Sequence, residues 1–308
     1  MKKAIMVLLL LSVLLVGTLL VLVPEKKVQN ARTDIVVTTF ALYDIARHLL
    51  GPDGTVAMLL PFGRDVHTFE PTPQDMIRVE QSRLFLYSGA GLEPWSTPFR
   101  ARDNAVDMSR FVTLHESGEE AHHHDTDDTA HHAHPIDPHY WLDIDNMIGL
   151  VQGMEGLFRK AFASMDEKEL HARAEAYIAR LKTLDGLFKK RLASCRLDTI
   201  VVSHNAFGYL AERYGFHVAA LTGLSPDTMP DAKTMAALSD FVREKGVKTL
   251  FYESFVSDKL AASLARESGV RVDVLQPLAN ITDKEVGADY FRLMNANLLK
   301  LHDALECR

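Results

Sequence analysis

Residues 146–193 read NMIGLVQGMEGLFRKAFASMDEKELHARAEAYIARLKTLDGLFKKRLA, with apolar residues at helical spacing and no proline. This pattern predicts one long helix, or two nearly continuous ones, in the middle of the chain. On both sides of it, short β-branched or aliphatic runs alternate with longer amphipathic segments. Such alternation is typical of β/α units that build a parallel sheet, so we expect an α/β fold whose two halves are linked by helix.

The same patterns place the individual elements. In the first half they predict strands at Ile35–Thr39, Val56–Leu60 and Leu84–Ser88, and helices at Leu42–Leu50 and Pro73–Gln81. In the second half they predict strands at Thr199–Ser203, Val218–Leu221, Thr249–Tyr252 and Val270–Leu275, and helices near Ala206–Tyr214, Asp231–Lys245, Asp258–Ser268 and Asp283–Leu305. We therefore expect a first lobe at 33–145, a linker helix region at 146–194 and a second lobe at 195–308.

The amino terminus predicts the compartment. Two lysines precede an uncharged run over residues 4–23 that is rich in Leu and Val. We interpret residues 1–32 as a signal peptide or a membrane anchor, because 20 residues at roughly 1.5 Å each reach across a bilayer core of about 30 Å. The protein is then exported to the periplasm, either freed by cleavage or held by an uncleaved tether through residues 4–23. No cysteine lies near the end of the run, so we expect no lipid on an amino-terminal cysteine.

The chain contains two cysteines, Cys195 and Cys307. An even number of cysteines in an exported chain favours one disulfide that joins them. Two buried free thiols are the alternative.

A His/Asp-rich segment at 116–139 reads ESGEEAHHHDTDDTAHHAHPIDPH. It has almost no apolar residues, and imidazole with carboxylate is a ligand set that suits zinc, copper and nickel. We expect a low-affinity auxiliary metal loop over 115–137 with His122, His123, His124, His131, His132 and His134 as its imidazole ligands; a solvated acidic loop is the alternative. The net charge of −7, without a basic patch, excludes nucleic acid as the expected partner.

Three further histidines lie where open α/β sheets place ligands, in loops just beyond predicted strands or at the end of the His/Asp-rich segment. They are His67 in GRDVHTFEP, His139 in DPHYWLD and His204 in SHNAF. A single histidine in such a loop is more often a surface or packing residue. Three of them beside a His-rich segment favour a metal site.

These motifs carry a family resemblance. DVHTFEPTP, the His/Asp-rich segment, DPHYWLD, VVSHNAFGYLAERYG and LFYES follow one another in this order and closely resemble the ZnuA-like zinc-binding proteins of bacterial ABC importers, a cluster that also holds manganese-binding relatives. The resemblance covers residues 34–305 and implies two (β/α) lobes with parallel sheets, joined by a long rigid linker helix. It implies one metal ion between the lobes, bound by His67 and His139 from the first lobe and His204 from the second.

The fourth ligand is less evident. Relatives carry an acid in the loop after the last strand of the second lobe, whereas this chain has VLQPLANIT at 274–282, with Gln276 and Ala279 at the corresponding places. Water then completes the tetrahedron, or a carboxylate from elsewhere does. Glu253, Asp273 and Gln276 are the candidates for a fourth ligand or for a residue that orients an imidazole.

The resemblance implies a function. We expect a non-enzymatic extracytoplasmic receptor, a monomer, that captures Zn²⁺ between its lobes and delivers it to the permease of an ABC zinc importer. The alternatives are a manganese or iron receptor of the same fold, a periplasmic zinc chaperone or store, and a zinc-dependent hydrolase. The last is disfavoured because the chain has no HExxH motif.

Overall fold

The computed structural model describes residues 33–52, 54–116, 136–224, 232–253 and 259–308. Within these residues no helix is long and apolar enough to cross a membrane. The apolar run at 4–23 and the six clustered histidines at 122–134 lie outside the described residues.

The first lobe contains the elements β1 Ile35–Val37, α1 Phe40–Leu50, β2 Val56–Met58, α2 Pro73–Gln81, β3 Leu84–Tyr87 and β4 Ala105–Asp107. Its four strands form a parallel sheet in the order β2-β1-β3-β4. Ile35 pairs with both Val56 and Leu84, so β1 lies inside the sheet. All residues of β1 and β3 are buried, which explains their continuous apolar sequence.

The second lobe contains the strands β5 Thr199–His204, β6 His217–Thr222, β7 Thr249–Tyr252 and β8 Arg271–Val274. They repeat the arrangement of the first lobe and form a parallel sheet in the order β6-β5-β7-β8. The helices that connect and follow them are α5 Gly208–Tyr214, α6 Ala232–Lys245, α7 Lys259–Ser268 and α8 Tyr290–Ala304. The prediction of two lobes with parallel sheets is therefore confirmed.

The middle of the chain forms two helices, α3 Ile144–Ala161 and α4 Glu167–Arg191. The sequence predicted one long helix or two nearly continuous ones; two helices form, but the expected continuity is wrong because the chain reverses between them. Glu155 of α3 contacts His171 of α4 at 3.1 Å, and Arg159 contacts Glu167 at 3.7 Å, so the two helices run antiparallel. Asp166 ends the turn as the N-cap of α4, where its carboxylate accepts hydrogen bonds from two backbone N–H groups.

The long helix α4 contacts both lobes. It packs against α1 of the first lobe and α8 of the second. Tyr177 of α4 donates a buried hydrogen bond of 2.7 Å to Asp44 of α1, and Arg180 pairs with Asp289 at the start of α8. One continuous apolar cluster contains residues of α4 and of both lobes, so the two lobes share a core across this helix.

A second contact between the lobes is polar. Arg213 of α5 pairs with Asp185 of α4 at 2.7 Å and with Asp143, the N-cap of α3, at 3.0 Å. Asp143 follows the first-lobe residue His139 by four positions. The guanidinium therefore ties the second lobe to the segment that carries one of the candidate ligands.

The predicted disulfide between Cys195 and Cys307 is confirmed. The two residues form an isolated antiparallel bridge, and Leu197 donates a backbone hydrogen bond to Leu305. The bond fastens the end of the chain to the segment that leads into β5.

Candidate metal centre

His67 lies in the loop after β2, in a segment without helix or strand. Its backbone N–H donates a hydrogen bond of 2.8 Å to the carboxylate of Asp65, two residues earlier. This local bond shapes the turn. The imidazole of His67 lies against the rings of His139 and His204.

His139 lies just before a short 3-10 helix, Tyr140–Leu142, and is buried. One carboxylate oxygen of Asp137 accepts hydrogen bonds from both its backbone N–H, at 2.9 Å, and its ring Nδ1, at 2.8 Å. A ring that donates from Nδ1 keeps its lone pair on Nε2. Asp137 therefore prepares Nε2 of His139 to bind a cation.

His204 is the last residue of β5 and is also buried. Its Nδ1 contacts the carboxylate of Glu253, which directly follows β7. Because β5 and β7 are neighbours in a parallel sheet, their carboxyl ends meet at one edge. Glu253 thus does for His204 what Asp137 does for His139.

The three imidazoles converge. The Nε2 atom of His139 lies 3.3 Å from that of His67 and 3.4 Å from that of His204. One ligand atom from each ring lies within 4.8 Å of the others. Nitrogens with lone pairs repel one another at this distance, so the arrangement is suited to a cation among them.

The spacing also fits zinc quantitatively. A tetrahedron's edge is about 1.63 times its centre-to-vertex distance, so Zn–N bonds of about 2.0–2.1 Å place neighbouring nitrogens about 3.3–3.4 Å apart. The two Nε2 separations agree with this value.

Burial and charge shift the pKa values of two of the candidate ligands in opposite directions. Burial, together with the neighbouring His139 and His204, lowers the pKa of His67 to about 2, so its imidazole is neutral at physiological pH. Burial also acts to lower the pKa of His204, but the Glu253 carboxylate outweighs it and the pKa is raised above its usual value. His204 therefore holds its proton to a higher pH than an ordinary histidine, and a cation must displace that proton.

The candidates for a fourth ligand lie in different places. Asp273 pairs with Lys300 at 3.1 Å, and the group of close ligand atoms among the described residues contains the three histidines without it. The side-chain amide of Gln276 donates to Glu285, and its backbone binds Asn297. Glu253 contacts the back of the His204 ring, away from the converging Nε2 atoms.

Sequence reasoning missed the role of Asp137. The signal was present, since both first-lobe histidines stand in Asp-x-His, as Asp65-Val66-His67 and Asp137-Pro138-His139. In each case the aspartate accepts a hydrogen bond from the backbone N–H of the histidine. The pattern therefore marks a turn that presents an imidazole.

The fold, with four-stranded parallel sheets in both lobes and the imidazole cluster at their seam, is that of zinc-binding periplasmic receptors. The chain belongs to the ZnuA family, because residues 35–304 match the family described as zinc-uptake complex component A, periplasmic.

Similar proteins agree with this assignment. The chain is 32% identical over 289 residues to the zinc-binding protein AdcA of Streptococcus pyogenes serotype M3, a match that covers 87% of this chain and 55% of AdcA. It is 31% identical to the high-affinity zinc uptake system protein ZnuA of Bacillus subtilis strain 168, over 88% of this chain and 87% of that protein. The chain thus spans about half the length of the streptococcal relatives.

Solved structures share the fold. The Zn(II)-bound ZnuA-like domain of Streptococcus pneumoniae AdcA superposes with a TM-score of 0.74 at 26% identity, covering 89% of this chain and 99% of that domain. The laminin-binding protein Lmb of Streptococcus agalactiae, described as an adhesin with metal transporting activity, gives a TM-score of 0.74 at 25% identity, over 88% of this chain and 98% of that one.

The charge at His204 predicts a pH dependence of zinc binding. Zinc affinity should rise with pH up to the raised pKa of His204 and then level off, because below that pKa each bound ion must release the His204 proton. Calorimetry in two buffers of different ionisation enthalpy should detect proton release on zinc binding near pH 6.5, and this release should decrease as the pH rises through the pKa of His204.

Glu253→Gln is the matched control for this measurement. The amide oxygen can still accept from Nδ1 of His204, but the charge that raises the pKa is gone, so proton release should move to lower pH. Equal release at pH 6.5 from the wild type and the variant would show that Glu253 does not set the protonation of this ligand.

Proposed function

We propose that the protein is an extracytoplasmic zinc receptor that holds one Zn²⁺ ion between its lobes on His67, His139 and His204 and delivers it to the permease of an ABC importer. The observation that carries the proposal is the convergence of three imidazoles from both lobes, in which Nε2 of His139 lies from those of His67 and His204 at the edge length of a zinc tetrahedron. Zinc binding by the AdcA and ZnuA relatives supports the same cargo.

The ligand set favours zinc over manganese or iron. Three imidazoles form a borderline-soft ligand set, whereas Mn²⁺ prefers carboxylate, carbonyl and water oxygens. The carboxylates of Asp137 and Glu253 contact Nδ1 atoms of the rings and increase the basicity of these ligands. We propose that solvent completes the coordination sphere.

The same contacts argue against a zinc-dependent hydrolase. A hydrolytic zinc centre needs a general base that can reach the metal-bound water. Asp137 and Glu253 are buried behind the rings that they orient and are bound to them. We therefore propose a binding role for the site and no catalysis.

The core shared across α4 supports capture with little movement of the lobes. Helix α4 packs on α1 and α8 and, with Arg213, holds the two lobes at a fixed separation. Lobes that move little when the ion binds also move little to let it leave. We propose that the chain acts as a monomer, exported or tethered through residues 4–23, and that contact with the permease releases the ion.

Zinc uptake by cells tests this function. A strain that lacks the gene should grow poorly when a chelator limits zinc, and the wild-type gene should restore growth and uptake of radioactive zinc. A His139→Ala gene should not restore them, whereas added zinc should. If His139→Ala supported normal uptake, the proposed site would not serve transport; a zinc chaperone without a transporter would leave uptake unchanged in the deletion strain.

We propose that the His/Asp-rich segment collects zinc weakly and raises its concentration beside the site, as tethering raises effective concentration. Replacing residues 119–134 with a short Gly-Ser linker should leave one tight zinc site and remove the additional weak binding. The structure makes this deletion practical, because Glu116 and Ile136 pair as an antiparallel bridge and hold the two ends together.

Calorimetric titration of the wild type and the deletion variant measures both classes of site. Loss of the tight site in the deletion variant would contradict the division between a tight site on three isolated histidines and a weak one on the segment.

A further inference from the structure

The loop after β8 leaves the second lobe and lies on the first. We call Pro277–Ile281 the latch loop. Three of its backbone carbonyls accept hydrogen bonds from donors of the first lobe. Trp141 donates from Nε1 to the carbonyl of Pro277 at 2.7 Å. The backbone N–H groups of Phe40 and Gly63 donate to the carbonyls of Ala279 and Ile281, at 2.8 and 2.9 Å. Leu278, Ala279, Asn280 and Ile281 are buried, so these bonds are shielded from water.

Asn280 makes the central contacts of the latch loop. Its side-chain amide donates two hydrogen bonds of 2.7 Å, one to the carbonyl of Pro61 and one to that of Arg64. Its amide oxygen accepts a hydrogen bond of 2.8 Å from the N–H of Ile281. The residue is fully buried, at 0% exposure, and both donors reach the loop that carries His67.

This contact bears on metal binding because of how His67 is supported. Residues 59–72 contain no helix or strand, so sheet or helix hydrogen bonds do not fix the position of His67. His139 and His204, in contrast, are held by Asp137 and Glu253 through their Nδ1 atoms. Arg64 lies three residues before His67, and its carbonyl is fixed from the second lobe by Asn280.

We propose that Asn280 is a positioning residue for zinc binding: it fixes the His67 loop against the second lobe and so aligns Nε2 of His67 with those of His139 and His204. The proposal rests on the function proposed above. Through Asn280, the second lobe controls the position of His67, a ligand from the first lobe, although Asn280 itself does not contact the ion.

A double-mutant cycle tests the proposal. Asn280→Ala should lower zinc affinity by about tenfold, because the two hydrogen bonds from its side-chain amide no longer hold the loop. In a His67→Ala background the same substitution should cause no further loss, since the ligand it positions is gone. Zinc titration of the four folded proteins measures both steps, and Asn280→Ser supplies the comparison if the alanine variant does not fold.

Asn297→Ala is the matched control. Asn297 is an equally buried asparagine that binds the N–H and the carbonyl of Gln276, immediately before the latch loop, from α8. Its loss should lower the free energy of unfolding but leave zinc affinity within about twofold.

The outcomes are distinguishable. An equal loss from Asn280→Ala in both backgrounds, or an equal loss of affinity from Asn297→Ala, would overturn the positioning role. If His67→Ala alone left zinc affinity unchanged, the proposed function would fail first.

Discussion

Replacing any one of His67, His139 and His204 with alanine should lower zinc affinity by about 10²–10³-fold. Structural zinc sites with four ligands gain about 10–16 kcal/mol, so one ligand accounts for about 2.5–4 kcal/mol. Among the described residues, the group of close ligand atoms contains these three imidazoles and no other, so no further imidazole can replace one that is removed. The change is measured by competition of each variant with a chromophoric zinc chelator.

His217→Ala is the control for these variants. His217 begins β6 in the second lobe and is exposed. Its replacement removes an imidazole without touching the trio, and zinc affinity should stay unchanged. A similar loss in this variant and in the trio would show that histidine content, and not convergence, determines binding.

Removing the disulfide should have the second largest effect, this time on stability. Cys195 and Cys307 are 112 residues apart in sequence. Closing a loop of about 100 residues stabilises the folded state by on the order of 4.7 kcal/mol in the chain-entropy model. Urea unfolding of the metal-free Cys195→Ser/Cys307→Ser variant should show a decrease of about this size.

Zinc affinity provides the control for that variant. The disulfide joins the chain end to the segment before β5 and does not contact the trio, so the folded variant should bind zinc as the wild type does. An unchanged midpoint of urea unfolding would show that the backbone hydrogen bonds next to the disulfide hold the carboxyl-terminal segment in place when the disulfide is absent.

Buried strands were the most predictable part of the fold. β1 and β3 are apolar throughout, and β5 and β7 contain the apolar runs IVV at 200–202 and LFY at 250–252, because both faces of these strands are covered in a parallel sheet. β4 was missed because it is a three-residue edge strand, Ala105–Asp107, in which one residue is buried. Its pairing with β3 is set by tertiary contact, which three residues of sequence do not reveal.

Helix ends were less predictable, although their signals were present. The break between α3 and α4 is marked by Asp166, whose side chain caps the second helix. The last helix begins at Tyr290 and not at Asp283, because Gly287 has a positive φ of 90° and Asp289 is the N-cap. Apolar periodicity alone continues across such breaks and therefore joined the segments.

The site was predictable where local sequence determines it. His67 and His139 each lie in an Asp-x-His turn, and His204 is the last residue of the apolar strand β5. The carboxylates behind the rings are less evident, since Glu253 is 49 residues from His204 and reaches it through the pairing of β5 with β7. The contact of Asn280 with the His67 loop spans more than 200 residues and depends on how the lobes dock, which no local pattern encodes.

X-ray absorption at the zinc edge tests the central claim most directly, with one equivalent of zinc bound to the variant in which residues 119–134 are replaced by the linker. The account predicts three imidazole nitrogens at about 2.0–2.1 Å and one oxygen. His67→Ala should reduce the imidazole count by one. A spectrum of the linker variant dominated by oxygen ligands, or an imidazole count that His67→Ala leaves unchanged in that variant, would contradict the convergence of the two lobes on one ion.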